Sequence, residues 1–254
     1  MDLVFGNPDA NFATVAKSAA EAARRGSDWL VVPELWSTAY DLTNAEDYAT
    51  ETDTGMFTRI SKLAREHKLH IIGSTLSSMG ENRYGNTATW YDPTGAQLAQ
   101  YSKLHLFRLM DEHKYLTAGE SPTLVETAWG KVGMGICYDL RFPELFRHYA
   151  LQGATLAVLP SEWPHPRLMH WRTLLRARAI ENQLFMIACN RVGAVGDTVF
   201  FGHSAIIDPW GEIVIEGGEG EMLLTAEIDF GRLPSIRDHI PIFTDRRPDV
   251  YALE

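Results

Sequence analysis

Cysteine is scarce in this sequence: Cys137 and Cys189 are the only two in 254 residues. A chain of this length can build its own core, so no disulfide framework is needed, and two thiols alone cannot make a zinc site. There is no apolar run of the length needed to span a bilayer, which argues against a membrane protein. Positive charge is in deficit too, with 23 Lys and Arg against 33 Asp and Glu, a net charge of −10. No Lys/Arg-rich stripe offsets that balance, so a phosphate backbone would be repelled and nucleic acid is disfavoured as a partner. Residues 1–8 lack the basic start and long apolar stretch of a secretory signal, and the expectation is a reduced, cytoplasmic protein.

What is present reads as an ordinary globular chain: 45% hydrophobic, 22% charged, 20 Gly and 12 Pro. Disorder, collagen-like repeats and coiled coil are excluded by that composition. Short β-branched runs alternate with amphipathic helical patterns. Helices are predicted over residues 11–25, 56–67 and 167–183, with another opening at Pro143 and ending near Gly153. Strands are predicted over 29–33, 70–74, 86–91, 97–101, 131–136, 155–159 and 184–190. Two Asp-Pro-x-Gly stretches, at Asp92 to Gly95 and Asp208 to Gly211, predict hairpins.

The first of these stretches echoes the second, and Leu30-Val31-Val32-Pro33-Glu34-Leu35-Trp36 echoes Ala157-Val158-Leu159-Pro160-Ser161-Glu162-Trp163. The echoes suggest an α/β architecture of two similar halves, with chance likeness of short strand motifs as the competing explanation. No Gly/Ser-rich or Pro-rich linker divides the halves, so residues 1–254 are taken as one domain.

Three residues have settings suited to chemistry. Cys137 follows a predicted strand and precedes a helix, where α/β proteins place reactive groups and where a helix N-terminus lowers a thiol's pKa. On its segment alone it reads equally as a buried structural cysteine. Cys189, inside an apolar run, reads as core. Glu34 stands at a strand end in apolar company, where desolvation favours a carboxylate acting as a base, although an exposed loop glutamate has the same signature. Lys103 is embedded in Tyr101-Ser102-Lys103-Leu104-His105-Leu106-Phe107, as a snorkelling cation or as a buried functional ammonium. A nucleophilic cysteine usually takes histidine as its base, but none of the nine histidines is picked out by its surroundings.

Taken together, these segments resemble the nitrilase superfamily of carbon–nitrogen hydrolases. The resemblance rests on Pro33-Glu34-Leu35-Trp36, the Lys103 segment, and Gly135-Ile136-Cys137-Tyr138-Asp139-Leu140-Arg141-Phe142-Pro143-Glu144. It continues through residues 170–183, Asn190 and Gly202-His203-Ser204, and so covers nearly the whole chain. It implies an α-β-β-α sandwich, with Glu34 as general base, Lys103 as the ammonium that stabilises an oxyanion, and Cys137 as nucleophile. Glu112 is the position matching a fourth carboxylate that orients the lysine and substrate. The Tyr138 backbone N–H would complete the oxyanion site. No metal or cofactor is implied, because the ammonium supplies the charge a Lewis acid would otherwise provide.

Within the superfamily, residues 107–113, 161–167 and 236–251 resemble the ω-amidase-like branch. Its substrates are terminal amides of 2-oxoacids such as 2-oxoglutaramate, so the expected partner is a small-molecule amide. A carboxylate-bearing substrate needs a cation, for which Arg141 is the first candidate, with an ion pair to Glu144 or another nearby acid as its structural alternative. Trp163 and Phe107 are candidate pocket walls. The same triad would also serve a nitrilase, an N-carbamoyl amino acid hydrolase or another aliphatic amidase. A pseudoenzyme that keeps the fold, and a Cys–His hydrolase on another fold, are the remaining alternatives. The family's assembly habits imply a homodimer through residues 167–183 and 236–251. Family members usually begin with one more strand than this sequence supplies, so a sheet edge near the N-terminus is expected to lack a neighbour.

Overall fold

A computed structural model describes residues 1–251 of the chain. The first half carries α1 (Pro8–Arg24), β1 (Trp29–Val31), α2 (Ala45–Tyr48), α3 (Gly55–His67), β2 (His70–Ser78), β3 (Tyr84–Tyr91), β4 (Gln97–Ser102) and α4 (Glu112–Tyr115). The second carries β5 (Thr123–Thr127), β6 (Gly130–Met134), α5 (Pro143–Leu151), β7 (Ala154–Ser161), α6 (Leu168–Asn182) and β8 (Phe185–Asn190). There follow β9 (Val192–Val195), β10 (Thr198–Phe201), β11 (Ala205–Ile207), β12 (Ile213–Glu216), α7 (Arg232–His239) and α8 (Ile242–Asp245). Among the described residues no helix is long and apolar enough to cross a membrane.

Two sheets form the centre, one ordered β1-β2-β3-β4 and the other β12-β11-β8-β7-β6-β5, with β9 and β10 as a separate ribbon. Both predicted hairpins are present, as the antiparallel pairs β3–β4 and β11–β12. In the first, the Asp92 carboxylate takes the N–H groups of Thr94 and Ala96, closing the turn at Gly95 with its φ of 83°.

The period of two along each strand sorts side chains between layers. Ile71 and Tyr91, paired across β2 and β3, pack on one side with Val15, Ala19, Phe57, Ile60 and Leu63 of α1 and α3. Their neighbours Ile72 and Trp90 point the other way, into a core shared with Val132, Met134, Leu156 and Val158 of the second sheet. Leu145, Phe146, Tyr149, Trp171 and Leu175 of α5 and α6 complete that core. The layering is therefore helix, sheet, sheet, helix, the expected α-β-β-α sandwich. Each large apolar side chain buried in it stabilises the fold by roughly 1.5–3 kcal/mol.

Helix α1 begins three residues before its predicted start, because Asn7 caps the Ala10 N–H at 3.1 Å and Pro8 occupies the first turn. At Gly133 of β6, a Cβ would lie 2.4 Å from the Tyr149 ring, so only glycine admits the helix α5 tyrosine there. The Tyr149 hydroxyl uses that approach to donate to the Met134 carbonyl at 2.6 Å.

Among the described residues strand β1 pairs only with β2, and its other edge faces a cavity of about 580 Å³. Residues 222–228, without regular secondary structure, and Phe230 line the cavity too, with Leu224, Ala226, Ile228 and Phe230 less exposed than the residues between them. This is the unpartnered sheet edge anticipated near the N-terminus. Cys189 lines the same cavity and is only partly buried, which corrects its reading as core.

Candidate active site

Glu34, Lys103 and Glu112 come together in the buried interior. Glu34 leaves the end of β1 after Val32 and Pro33, and the chain turns sharply at Leu35, whose φ is 40° and whose N–H is held by the Ser74 hydroxyl. Lys103 follows β4 directly, and Glu112 opens α4. Lys103 Nζ lies 2.7 Å from Glu34 Oε1 and 2.5 Å from Glu112 Oε1. None of the three is more than 1% exposed, a burial that charged side chains almost never show unless they are paired.

The carboxylates are held from further sides. Glu34 Oε1 also accepts from Asn86 Nδ2 at 2.7 Å, while Oε2 accepts from the backbone N–H of Glu162 at 3.0 Å. Glu112 Oε2 accepts from the Phe107 N–H at 2.7 Å. The Tyr40 hydroxyl lies 2.9 Å from Glu34 Oε1, closer still to Glu112 Oε1, and its single proton serves one at a time. Burial first, then the two carboxylates, push the Tyr40 pKa well up, so that proton stays in place.

Cys137 begins a 3₁₀ turn (Cys137–Arg141) directly after β6 and Ile136. It sits in the left-handed region at φ 49°, a strained setting for a non-glycine residue. The Tyr138 N–H makes no hydrogen bond among the described residues, as expected at the start of a helical turn. Burial and then the neighbouring Glu34 carboxylate push the thiol well above its ordinary range, against the pull of Lys103. This overturns the expectation of a lowered pKa. The helix is a single 3₁₀ turn, and its dipole is outweighed by desolvation and by a carboxylate.

Burial would discharge Lys103, but Glu112 and Glu34 more than offset it and hold the ammonium well above the usual lysine range. Glu112 is raised, chiefly by burial, with Lys103 opposing and Glu34 adding to the rise. The resting cluster is thus an ammonium in contact with two carboxyl groups, with an uncharged thiol near enough for Glu34 and Lys103 to act on it. No imidazole hydrogen-bonds to Cys137 among the described residues. His105 Nδ1 is engaged by Asp139 at 2.7 Å, which removes support from a Cys–His arrangement.

A second group of residues meets the cluster through the Cys137–Arg141 turn. The Arg141 guanidinium lies 4.7 Å from the Trp163 ring centroid, with Nη2 3.3 Å from His170 Nδ1. It makes no ion pair with Glu144 or another acid among the described residues, so the structural alternative for Arg141 is not the one realised. Phe107 and Tyr138 pack against each other with centroids 4.8 Å apart, and Arg167 stands 5.4 Å from the Phe107 centroid. Trp163 is held by Asn190, whose side chain takes its N–H at 2.6 Å and donates to its carbonyl at 3.2 Å.

Sequence reasoning did not find Tyr40, Asn86, Glu162 or Asp139 as parts of the site. All four act through contacts across the fold; Asp139 and Glu162 lay in segments already singled out, but with no role assigned to either.

The model of the family described as carbon-nitrogen hydrolase matches residues 2–238. A 2-oxoglutaramate amidase of Bacillus subtilis is 42% identical, over 98% of this chain and 96% of its own. A mouse protein named omega-amidase NIT2 is 33% identical, over 92% of this chain and 88% of its own. Among solved structures, a CN-hydrolase superfamily protein of Xanthomonas campestris superposes with a TM-score of 0.90 at 30% identity, covering 100% of this chain and 96% of that one. Buried carboxylates around a lysine, a cysteine on the adjoining turn and a family match over residues 2–238 agree: this chain belongs to the carbon–nitrogen hydrolases of the nitrilase superfamily.

Proposed function

We propose that this chain is an ω-amidase, hydrolysing the terminal amide of a 2-oxoacid amide such as 2-oxoglutaramate to the acid and ammonia. The observation that carries the reading is the Lys103 ammonium, held between two buried carboxylates beside Cys137. Relatives named as 2-oxoglutaramate amidase and omega-amidase support the substrate class.

The protonation states suit a reaction that begins only when substrate is bound. Because the resting sulfur is a thiol, its proton must leave as the amide carbonyl engages. Glu34 Oε1 is occupied by Lys103 and Asn86, with Tyr40 beside it, whereas Oε2 carries one backbone N–H and has a lone pair for that proton. The thiolate attacks the amide carbon, and the oxyanion is stabilised by Lys103 Nζ and the free Tyr138 N–H. Glu34 then protonates the departing nitrogen, ammonia leaves, and a thioester to Cys137 remains. Water, deprotonated by the same carboxylate, opens the thioester, releasing the acid and restoring the thiol. Glu112 and Tyr40 keep the ammonium aligned throughout.

The site must also hold the carboxylate at the far end of the substrate. Arg141, lying over the indole of Trp163, offers a guanidinium without a competing acidic partner among the described residues. Phe107 and Tyr138 would form the apolar wall across from it. Ammonia release across 2-oxoglutaramate, 2-oxosuccinamate, simple aliphatic amides, N-carbamoyl amino acids and nitriles tests the reading. The 2-oxoacid amides should give the highest kcat/KM. Preference for a nitrile or a carbamoyl amino acid, or inertness toward every 2-oxoacid amide, would overturn it.

A further inference from the structure

We infer that Asp139 is a positioning residue that sets the Lys103 ammonium against the Cys137 sulfur, a role that rests on the reading of those two groups given above. Asp139 lies two residues past Cys137 and is wholly buried. Its carboxylate accepts four hydrogen bonds, two on each oxygen. Oδ2 takes the Tyr101 hydroxyl at 2.7 Å and the Ile136 N–H at 2.8 Å. Oδ1 takes the backbone N–H of His105 at 3.2 Å and its Nδ1 at 2.7 Å.

The placement of the donors gives the carboxylate its function. Tyr101 and His105 flank Lys103, two residues to either side, and Ile136 immediately precedes Cys137. One side chain therefore clamps the segment bearing the ammonium to the turn bearing the sulfur. Glu34 meets the two reacting groups themselves, whereas Asp139 ties together the backbones that carry them. The clamp is braced from outside: the His105 ring stacks on Phe142, with centroids 3.6 Å apart and planes 7° from parallel. The Tyr101 proton is secure as well, because burial and then Asp139 raise the phenol far above its usual range.

Asparagine cannot replace this carboxylate. Each oxygen faces one backbone N–H, Ile136 on one side and His105 on the other, and a backbone N–H cannot become an acceptor. Whichever way an amide is turned, its NH2 meets a donor, and the two segments are pushed apart. Displacement of about 1 Å at reacting groups costs on the order of a hundredfold in rate. Removing only the His105 side chain leaves Oδ1 with its backbone donor and should do less harm.

The experiment uses the full-length protein and the variants Asp139→Asn, His105→Ala and His105→Asn. It measures ammonia release and the rate of Cys137 carbamidomethylation by iodoacetamide, an amide whose carbonyl can occupy the oxyanion site. For Asp139→Asn, kcat should fall about a hundredfold with KM within about twofold, and labelling of Cys137 should slow in step. His105→Ala should lose about fivefold in both measurements. His105→Asn, whose Nδ2 stands where imidazole Nδ1 stood, should recover to within about twofold of the parent.

A residue that merely stabilised the fold would behave oppositely, since loosening the turn would expose Cys137 and speed its labelling. Faster labelling in Asp139→Asn, or a folded Asp139→Asn with the parent's kcat, would overturn the inference. If Asp139→Asn does not fold, the His105 pair decides: equal activity and labelling in His105→Ala and His105→Asn would count against it. Should the parent hydrolyse no amide at all, the proposed function fails, while the labelling rates still decide the role of Asp139.

Discussion

The Glu34 carboxylate, at the end of one sheet, accepts the backbone N–H of Glu162, at the end of the other. These are the two segments whose sequences echo each other, and they meet at the site. Glu162 is pinned in turn by Arg191 at 2.8 Å, and Arg191 reaches on to the Leu3 carbonyl at 2.7 Å. Burial pushes the Glu162 carboxyl up to about 8, with Arg191 opposing. The orientation of the base therefore depends on both sheets being docked, and the predictions that follow begin from it.

Glu34→Gln keeps the shape and removes the base. The amide oxygen must face Lys103 and Asn86, the donors now on Oε1, which turns the NH2 toward the Glu162 N–H. Turnover should fall by about a thousandfold or more, and stability by about 1–3 kcal/mol. Ammonia release and urea unfolding measure the two effects; unchanged turnover would contradict the assignment.

Lys103→Met leaves Glu34 and Glu112 buried without their counter-charge. At neutral pH the variant should be about 3–5 kcal/mol less stable than the parent and inactive. With the ammonium gone, Glu112 loses the charge that opposes its burial and binds a proton more readily when folded than when unfolded. The deficit should therefore shrink as pH falls and grow as it rises. Urea unfolding from pH 5 to pH 8 checks the sign.

The Cys137 thiol, raised by burial and by Glu34, is uncharged through the neutral range. A reagent with no carbonyl to occupy the oxyanion site, such as methyl iodide, should find little thiolate. Its rate at Cys137 should climb about tenfold per pH unit and keep climbing past pH 9. A plateau near pH 7 would mean a preformed thiolate. Cys189, lining the open cavity, should be modified before Cys137 at neutral pH.

Arg141→Met should separate substrate classes. Loss of the guanidinium should raise KM for 2-oxoglutaramate by about tenfold or more, while a small neutral amide keeps its kcat/KM within about twofold. Equal losses for both would make Arg141 a support for the Cys137 turn rather than a specificity residue.

Much of the fold was legible because its signals are local. The Asp-Pro-x-Gly turns predict both hairpins through the chemistry of four residues each, and the spacing of Phe57, Ile60 and Leu63 predicts α3. Glu34, Lys103, Glu112 and Cys137 became legible as a set only through resemblance, since no local pattern distinguishes a buried functional lysine from a snorkelling one. Tyr40 and Asn86 were not legible because they reach the site only after the chain folds back on itself. The direction of the Cys137 shift was misread because a helix dipole can be inferred from sequence, whereas burial beside a carboxylate 103 positions away cannot.

The most direct measurement is mass spectrometry of the parent protein acid-quenched during turnover of 2-oxoglutaramate. The Cys137 peptide should gain the mass of the substrate less ammonia, and hydroxylamine should remove that mass as a hydroxamate. Cys137→Ala should show no adduct and no turnover. An adduct elsewhere, or ammonia release that survives in Cys137→Ala, would contradict the account.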